Sequence, residues 1–304
     1  MGEIAYSAKK VDLFYPARRG GFLSTGLPRT EAALCAEMMR MAYSRIEPDF
    51  SFDRDQLKSI LGPLGFTCQF FETVGTPEGM GSHGFLAAHA DPDPAKSVAV
   101  VAFRGTDAAD PTDLASDAAF LQTTWPNGGM VHRGFAEALD HIVDDLKAAI
   151  DQFKGRVLYT GHSLGAALAT LLASVRRPDF LYTFGSPRVG NAQFVSTLQD
   201  INHHRFVHCC DVVARIPPQE IAGITYEHCG VPYYIDRNGV IVQDPDDTAI
   251  EKDRLIAAAD YIVEYAWRVG NVAVRELADH APINYANAVA ADDSQPKLAT
   301  WKSI

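Results

Sequence analysis

The feature that most constrains this chain is the run Arg156-Val157-Leu158-Tyr159-Thr160, followed without a break by Gly161-His162-Ser163-Leu164-Gly165 and Ala166-Ala167-Leu168-Ala169. The first part reads as a strand buried on both faces. The Ala- and Leu-rich stretch up to Arg176 reads as a helix. Strand and helix must meet in a tight turn with Ser163 at its apex. Such a turn strains the serine backbone and exposes its hydroxyl. Glycines at 161 and 165 fit because side chains there would collide with the neighbouring strand and helix. The first N–H groups of the helix point to where negative charge develops when a serine attacks a carbonyl. Ser163 is therefore the candidate nucleophile. A Gly-rich strand-to-helix turn without chemistry is the competing reading.

Other segments fit the same architecture. Ser97–Phe103 is a continuous apolar run, as expected of a central strand. Thr67–Phe71 and Gly84–His89 read as an early antiparallel pair, and Phe180–Thr183 and Arg205–Cys210 as further short strands. Glu31–Tyr43 (capped by Thr30), Asp53–Leu61 (ended by Gly62-Pro63) and Gly134–Phe153 have helical spacing. Strands alternating with helices imply an α/β fold, a mostly parallel sheet with helices on both faces. Beyond Pro218, Asn238-Gly239 marks a hairpin turn within Ile224–Val242, and Gln243–Thr248 reads as an acidic loop. Ile250–Leu277 then reads as one long helix with an interruption at Gly270. Its stripe of Leu255, Ile256, Tyr261, Ile262, Tyr265, Ala266 and Val269 is expected to pack on the core, with contact to lipid acyl chains as the alternative. The chain reads as a single domain over residues 1–304, with an irregular arm over 1–28 and a frayed tail over 288–304.

Composition excludes several function classes. With 304 residues, 47% of them apolar, the chain can bury a core without metal or disulfide staples. A net charge of −11 repels phosphate backbones and anionic headgroups, so no nucleic-acid partner is expected. The five cysteines are odd in number and form no C-x-x-C pair, which argues against a disulfide framework or a zinc site. No metal and no cofactor are expected. No apolar run is long enough for a transmembrane segment. The N-terminus lacks the apolar core of a signal peptide. The expected location is cytoplasmic, or outside the cell by export without a recognisable signal peptide.

Serine hydrolases built on a strand–elbow–helix unit order their triad as Ser, acid, His. Asp211 directly follows the Arg205–Cys210 strand, on the sheet edge that carries the elbow, which makes it the candidate acid. Asp179 comes at the start of a strand, the acids from Asp236 to Asp247 fall in turn or loop contexts, and Asp279 adjoins His280 so that their side chains should diverge. Only His228 and His280 lie beyond Asp211, and chain order leaves both open as the base. The oxyanion hole needs two N–H donors. Leu164 supplies one, and Thr106, in the turn Phe103-Arg104-Gly105-Thr106-Asp107, is the candidate for the second. The following stretch, 108–120, reads as a flap with Asp110, Asp113 and Leu114 as lid residues, or as a plain surface helix.

Taken together, VAFRGT (101–106), VHRGF (131–135), TGHSLGAALA (160–169), TFGSPRVGN (183–191), DVVARIPP (211–218) and DHAPINY (279–285) resemble the class 3 lipase family, a group within the α/β-hydrolase superfamily that includes filamentous-fungal triacylglycerol lipases. The resemblance implies Ser163 as nucleophile, Asp211 as acid and His280 as base, with Thr106 and Leu164 at the oxyanion positions. It thereby selects His280 over His228. The place where the family's lid often carries tryptophan corresponds to Leu114. The implied activity is carboxylic-ester hydrolysis of a small-molecule or lipid ester, at a lipid–water interface where the substrate is insoluble. A phospholipase or acyltransferase with the same triad is one alternative, and a catalytically inactive α/β-hydrolase-like binding protein is another.

Overall fold

The computed structural model describes residues 6–21, 23, 26–47, 50–73, 81–105, 120–243 and 245–290. Eight strands form one sheet whose spatial order follows the chain: β1 (Thr67–Glu72), β2 (His83–His89), β3 (Val98–Phe103), β4 (Arg156–His162), β5 (Phe180–Phe184), β6 (His203–His208), β7 (Val231–Ile235) and β8 (Ile241–Gln243). Strands β3 to β7 run parallel. The first three pair antiparallel at one edge, and β8 closes the other edge as the return arm of the β7 hairpin. The helices used below are α1 (Glu31–Met41), α2 (Arg54–Leu61), α3 (Arg133–Asp140), α4 (Val143–Gln152), α5 (Leu164–Val175), α6 (Asp247–Tyr261), α7 (Arg275–Asp279) and α8 (Pro282–Ala290).

Two cores follow from strand alternation. Val98, Val100 and Ala102 of β3 join Leu158, Tyr182, Phe184 and Phe206 beneath α1 and α8. Ala99, Val101 and Phe103 join Tyr159 and Leu181 beneath α3, α4 and α5. All six residues of β3 are buried, as its uninterrupted apolar sequence requires. Each fully buried Leu or Phe contributes about 1.5–3 kcal/mol. The expected cap is in place, with Thr30 Oγ1 accepting from Ala33 N at 3.2 Å, and Asp53, read as the first helical residue, is itself the cap of α2, its Oδ1 accepting from Gln56 N at 2.9 Å.

The structure departs from the sequence expectations in four places. The expected helix 134–153 is two helices, broken at Ile142, which has φ −130°. Leu139, Ile142, Leu146 and Ile150 are all buried, so the apolar period runs across the break and carries no mark of it. The expected helix 250–277 is also divided. It starts at Asp247 behind an Asp246 cap, passes into a π-helical turn at Ile262–Ala266, stops before Gly270 (φ 89°) and resumes only as α7. In α6 only Ala257 and Tyr261 are buried. Leu255 is 74% exposed, and beyond α6 Ile262 (65%) and Val263 (77%) face outward with Trp267 (71%) and Val269. Of the stripe expected on the core, Tyr261 is buried and Tyr265 and Ala266 pack partly against it, whereas Leu255, Ile262 and Val269 lie on the surface. Within the expected tail, Ala288 and Val289 are buried residues of α8.

The fourth departure is the N-terminal arm. It carries a helical turn at Lys10–Phe14 and a 3₁₀ turn at Pro16–Arg18. The carbonyls of Pro16 and Arg19 accept from buried Arg40 at 2.6 and 2.9 Å, while Arg40 Nε pairs with Glu37 at 2.8 Å. All eleven residues of α1 are buried, so these charges are matched inside the fold.

The interior holds an unusual set of neutral histidines. Burial lowers the pKa of His83 to about 4, with Arg104 adding to the effect. Burial lowers His132 to about 4, with Arg133 contributing, and His203 to about 3, with Arg205 and His204 contributing. Burial also lowers His208 and puts His162 and His228 well below the ordinary value. As pH falls through about 6.5 the unfolded chain takes up protons that the folded chain refuses until about 4, so stability declines across that window. Thermal unfolding between pH 7 and 4 should show a steep fall in Tm; a flat Tm over that range would contradict this assignment.

Candidate active site

The elbow has the predicted strain. Ser163, at the end of β4, has φ 58° and ψ −128°, and α5 begins at the next residue. A Cβ on Gly161 would lie 2.1 Å from Gly165 O, and one on Gly165 would lie 2.4 Å from Phe103 O. One on Gly105 would lie 2.8 Å from His162 O and 3.1 Å from Ser163 Cβ. Three glycines thus let the elbow press against the end of β3. Ser163 N donates to Phe184 O at 3.1 Å, which fixes the turn to β5. Leu164 is buried at the first position of α5, where an amide has no acceptor within its own helix.

Asp211 and His280 are brought together from positions far apart in the chain. Asp211 follows β6 and is fully buried. Its carboxylate lies 2.9 and 3.0 Å from His280 Nδ1. It also accepts from Tyr285 Oη at 2.5 Å and from Val213 N at 2.8 Å. Burial alone would raise its pKa; the neighbouring His280, the hydrogen bonds from His280 and Tyr285, and His162 hold it below the ordinary carboxylate value. An ionised Asp211 accepts the Nδ1 proton, which leaves Nε2 of His280 as the free basic nitrogen.

The backbone of His280 is held as well. His162 Nε2 lies 2.6 Å from His280 O, so that nitrogen carries the proton and donates it. His162 Nδ1 then accepts from Tyr43 Oη at 2.7 Å. Burial first, and the adjacent His280 second, keep His162 neutral. The rings of His162 and His280 have centroids 4.4 Å apart, which brings the imidazole of residue 280 beside the residue preceding Ser163. Gly185 completes the packing. It has φ 56°, and a Cβ there would lie 2.6 Å from Asp211 Oδ2 and 3.2 Å from His280 Nδ1.

His228, the alternative base by chain order, bonds through Nε2 to Ala214 O at 2.8 Å, whereas His280 holds the carboxylate of Asp211. Thr106 and the lid residues Asp110, Asp113 and Leu114 lie outside the described residues. Sequence reasoning did not single out Tyr43, His162, Gly185 or Tyr285. Three of them sat inside quoted motifs, at GHSLG, TFGSPRVGN and DHAPINY; Tyr43, at the end of α1, carried no local signal. Among the described residues one group of donors could be considered for a metal: His208, Cys209 and Asp279, with donor atoms within 4.8 Å of one another. Arg275 Nε already lies 3.2 Å from Asp279, so a cation there would face a guanidinium, and Cys209 Sγ donates to Asp279 at 3.2 Å.

This sheet, elbow and buried acid–imidazole pair define the α/β-hydrolase class. Residues 100–221 match the family model for lipase (class 3). Among curated proteins, the secreted mono- and diacylglycerol lipase 1 of Fusarium solani is 35% identical over 176 residues, covering 54% of this chain and 50% of its own. The lipase of Rhizomucor miehei is 34% identical over 164 residues, covering 48% of this chain and 44% of its own. The chain thus spans about half the length of the curated relatives it matches. The crystal structure of the lipase from Rhizopus microsporus var. chinensis superposes with a TM-score of 0.51 at 26% identity, covering 73% of this chain and 80% of that one.

Gly185→Ala should separate activity from stability. Gly223 also has positive φ (80°), but nothing lies within 4 Å of a Cβ placed there. Both alanine variants should lose about 1–2 kcal/mol of stability from the left-handed backbone. Only Gly185→Ala should lower kcat, by about 10- to 100-fold through displacement of the acid–base pair. Equal kcat in the two folded variants would contradict the packing argument.

Proposed function

We propose that the protein is a serine carboxylic-ester hydrolase that cleaves acylglycerols or other fatty-acyl esters through an acyl-enzyme. The observation that carries this reading is the buried Asp211–His280 pair set beside the strained Ser163 elbow. Ser163 Oγ attacks the ester carbonyl while His280 Nε2 takes its proton, and Asp211 stabilises the imidazolium. His280 then gives that proton to the departing alcohol. Water, deprotonated by the same imidazole, releases the acid and restores the serine. The amides of Leu164 and Thr106 hold the oxyanion; the contact of Gly105 with the elbow supports the Thr106 assignment. No step needs a metal or cofactor. Asp110, Asp113 and Leu114 are assigned to a lid on sequence grounds.

Acylglycerol is preferred over phospholipid as substrate because the relatives named above are a mono- and diacylglycerol lipase and a lipase. The Fusarium solani relative is named as secreted, which favours export over a cytoplasmic location. No described helix is long and apolar enough to cross a membrane. Eight of the described strands share one main sheet, which supports reading residues 1–304 as a single domain. Ser163→Ala should abolish turnover of p-nitrophenyl esters, with a loss on the order of 10⁶. Retained turnover would overturn the mechanism. Product analysis on diacylglycerol emulsions against phospholipid vesicles would separate lipase from phospholipase.

The outward apolar surface of Leu255, Ile262, Val263 and Trp267 supports action at a lipid–water interface. Trp267 suits the polar–apolar boundary, and the acidic net charge favours neutral or zwitterionic lipid. Replacing Ile262, Val263 and Trp267 together by serine should lower turnover of emulsified substrate while sparing a soluble short-chain ester. Equal loss on both substrates, or none on either, would remove the interfacial role.

A further inference from the structure

We propose that Asp279 is a positioning residue for His280 and that Tyr6, from the N-terminal arm, acts through it. The inference rests on the reading of His280 as the base. Asp279 is fully buried, and its side chain turns away from its neighbour His280. Its Oδ2 accepts from Cys210 N at 3.1 Å and from Cys209 Sγ at 3.2 Å, and its Oδ1 accepts from Tyr6 Oη at 2.8 Å. Arg275 Nε lies 3.2 and 3.3 Å from the two oxygens.

The register of these bonds gives the reason. Cys210 immediately precedes Asp211, and Asp279 immediately precedes His280. The two loops that carry acid and base are therefore tied twice, by His280 to Asp211 on one side and by Asp279 to Cys210 on the other. A single side-chain bond leaves the loops free to pivot about it; two on opposite sides of the backbone do not. With His162 holding the carbonyl of His280, the imidazole is fixed at three points.

The tie depends on a buried charge. Burial alone would raise the pKa of Asp279; His208, Arg275 and the hydrogen bonds from Tyr6 and Cys209 pull it below the ordinary value. Arg275 passes the connection outward, since its Nη2 donates to Arg237 O, in the β7–β8 turn, at 2.8 Å. The arm brings Tyr6 into place through Ser7, which exchanges two hydrogen bonds with Asn284 of α8 at 2.8 and 2.9 Å.

The test measures kcat and KM on a soluble p-nitrophenyl ester, normalised to sites titrated with a fluorophosphonate, alongside thermal unfolding. Asp279→Asn keeps the shape but removes the charge. Tyr6→Phe removes one hydrogen bond. Asp279→Leu with Arg275→Met removes both charges, so that folding is recovered without the tie to Cys210. Positioning predicts that kcat per titrated site falls about 10-fold in Asp279→Asn and in the double variant, and by a smaller factor in Tyr6→Phe, with KM unchanged. Wild-type kcat per site in the folded double variant, whatever its Tm, would show a purely structural role and overturn the inference. If Asp279→Asn does not fold, Tyr6→Phe and the double variant decide. Activity retained in His280→Ala would instead overturn the assignment of the base, a separately readable failure.

Discussion

A carboxylate with no exposure to water is the constraint around which the site is arranged. Burying an unpaired ionised group is costly, so Asp211 is tolerable only if its donors are already in place. Those donors come from separate parts of the chain: Val213 in the next turn, His280 after α7, and Tyr285 in α8. Folding the charge inward therefore requires α7 and α8 to dock over the ends of β5 and β6. The imidazole then arrives as a hydrogen-bond donor that the buried charge needs, and its reactive tautomer follows from that need. Gly185 belongs to the same constraint, because at its position any side chain would occupy the space of the acid or the imidazole.

The elbow presents the complementary problem. Ser163 holds a backbone conformation that costs energy, and nothing local compensates it. The compensation comes from β3, β4 and α5, whose close approach at Gly161, Gly165 and Gly105 would be lost if the turn relaxed. His162 links the elbow to the base. Held by Tyr43, just past the end of α1, it reaches to the carbonyl of His280. The turn of Ser163 and the loop of His280 are thus set by one neutral imidazole, whose ionisation burial opposes. The same chemistry makes the fold sensitive to acid, since several such histidines lie within it.

Regions beyond the site show where local pattern misleads. The stripe from Leu255 to Val269 has the spacing of a core face, and Tyr261 within it is buried, yet Leu255, Ile262 and Val269 face outward. Apolar spacing reports that a helix has an apolar side and is silent on what covers it. The N-terminal arm misled in the opposite direction. Its Gly, Pro and Arg content suggested irregular chain, but its carbonyls accept from Arg40 and its Tyr6 reaches Asp279.

What the sequence by itself determined is what depends on near neighbours: the apolar runs of β3 and β4, the glycines around Ser163, the cap at Thr30, and the Asn238-Gly239 turn. Each follows from sterics or hydrogen bonding within a few residues. Ser163 and Asp211 were legible because a strand end places them on one edge of the sheet, and His280 only once a set of motifs was weighed together. Tertiary structure alone decided that Tyr43 orients His162, that Gly185 makes room for the acid–base pair, and that Asp279 faces Cys210 while its neighbour faces Asp211. These are contacts between residues far apart in the chain, each a choice among many possible partners. That choice is made by the simultaneous burial of charges that only one packing can satisfy.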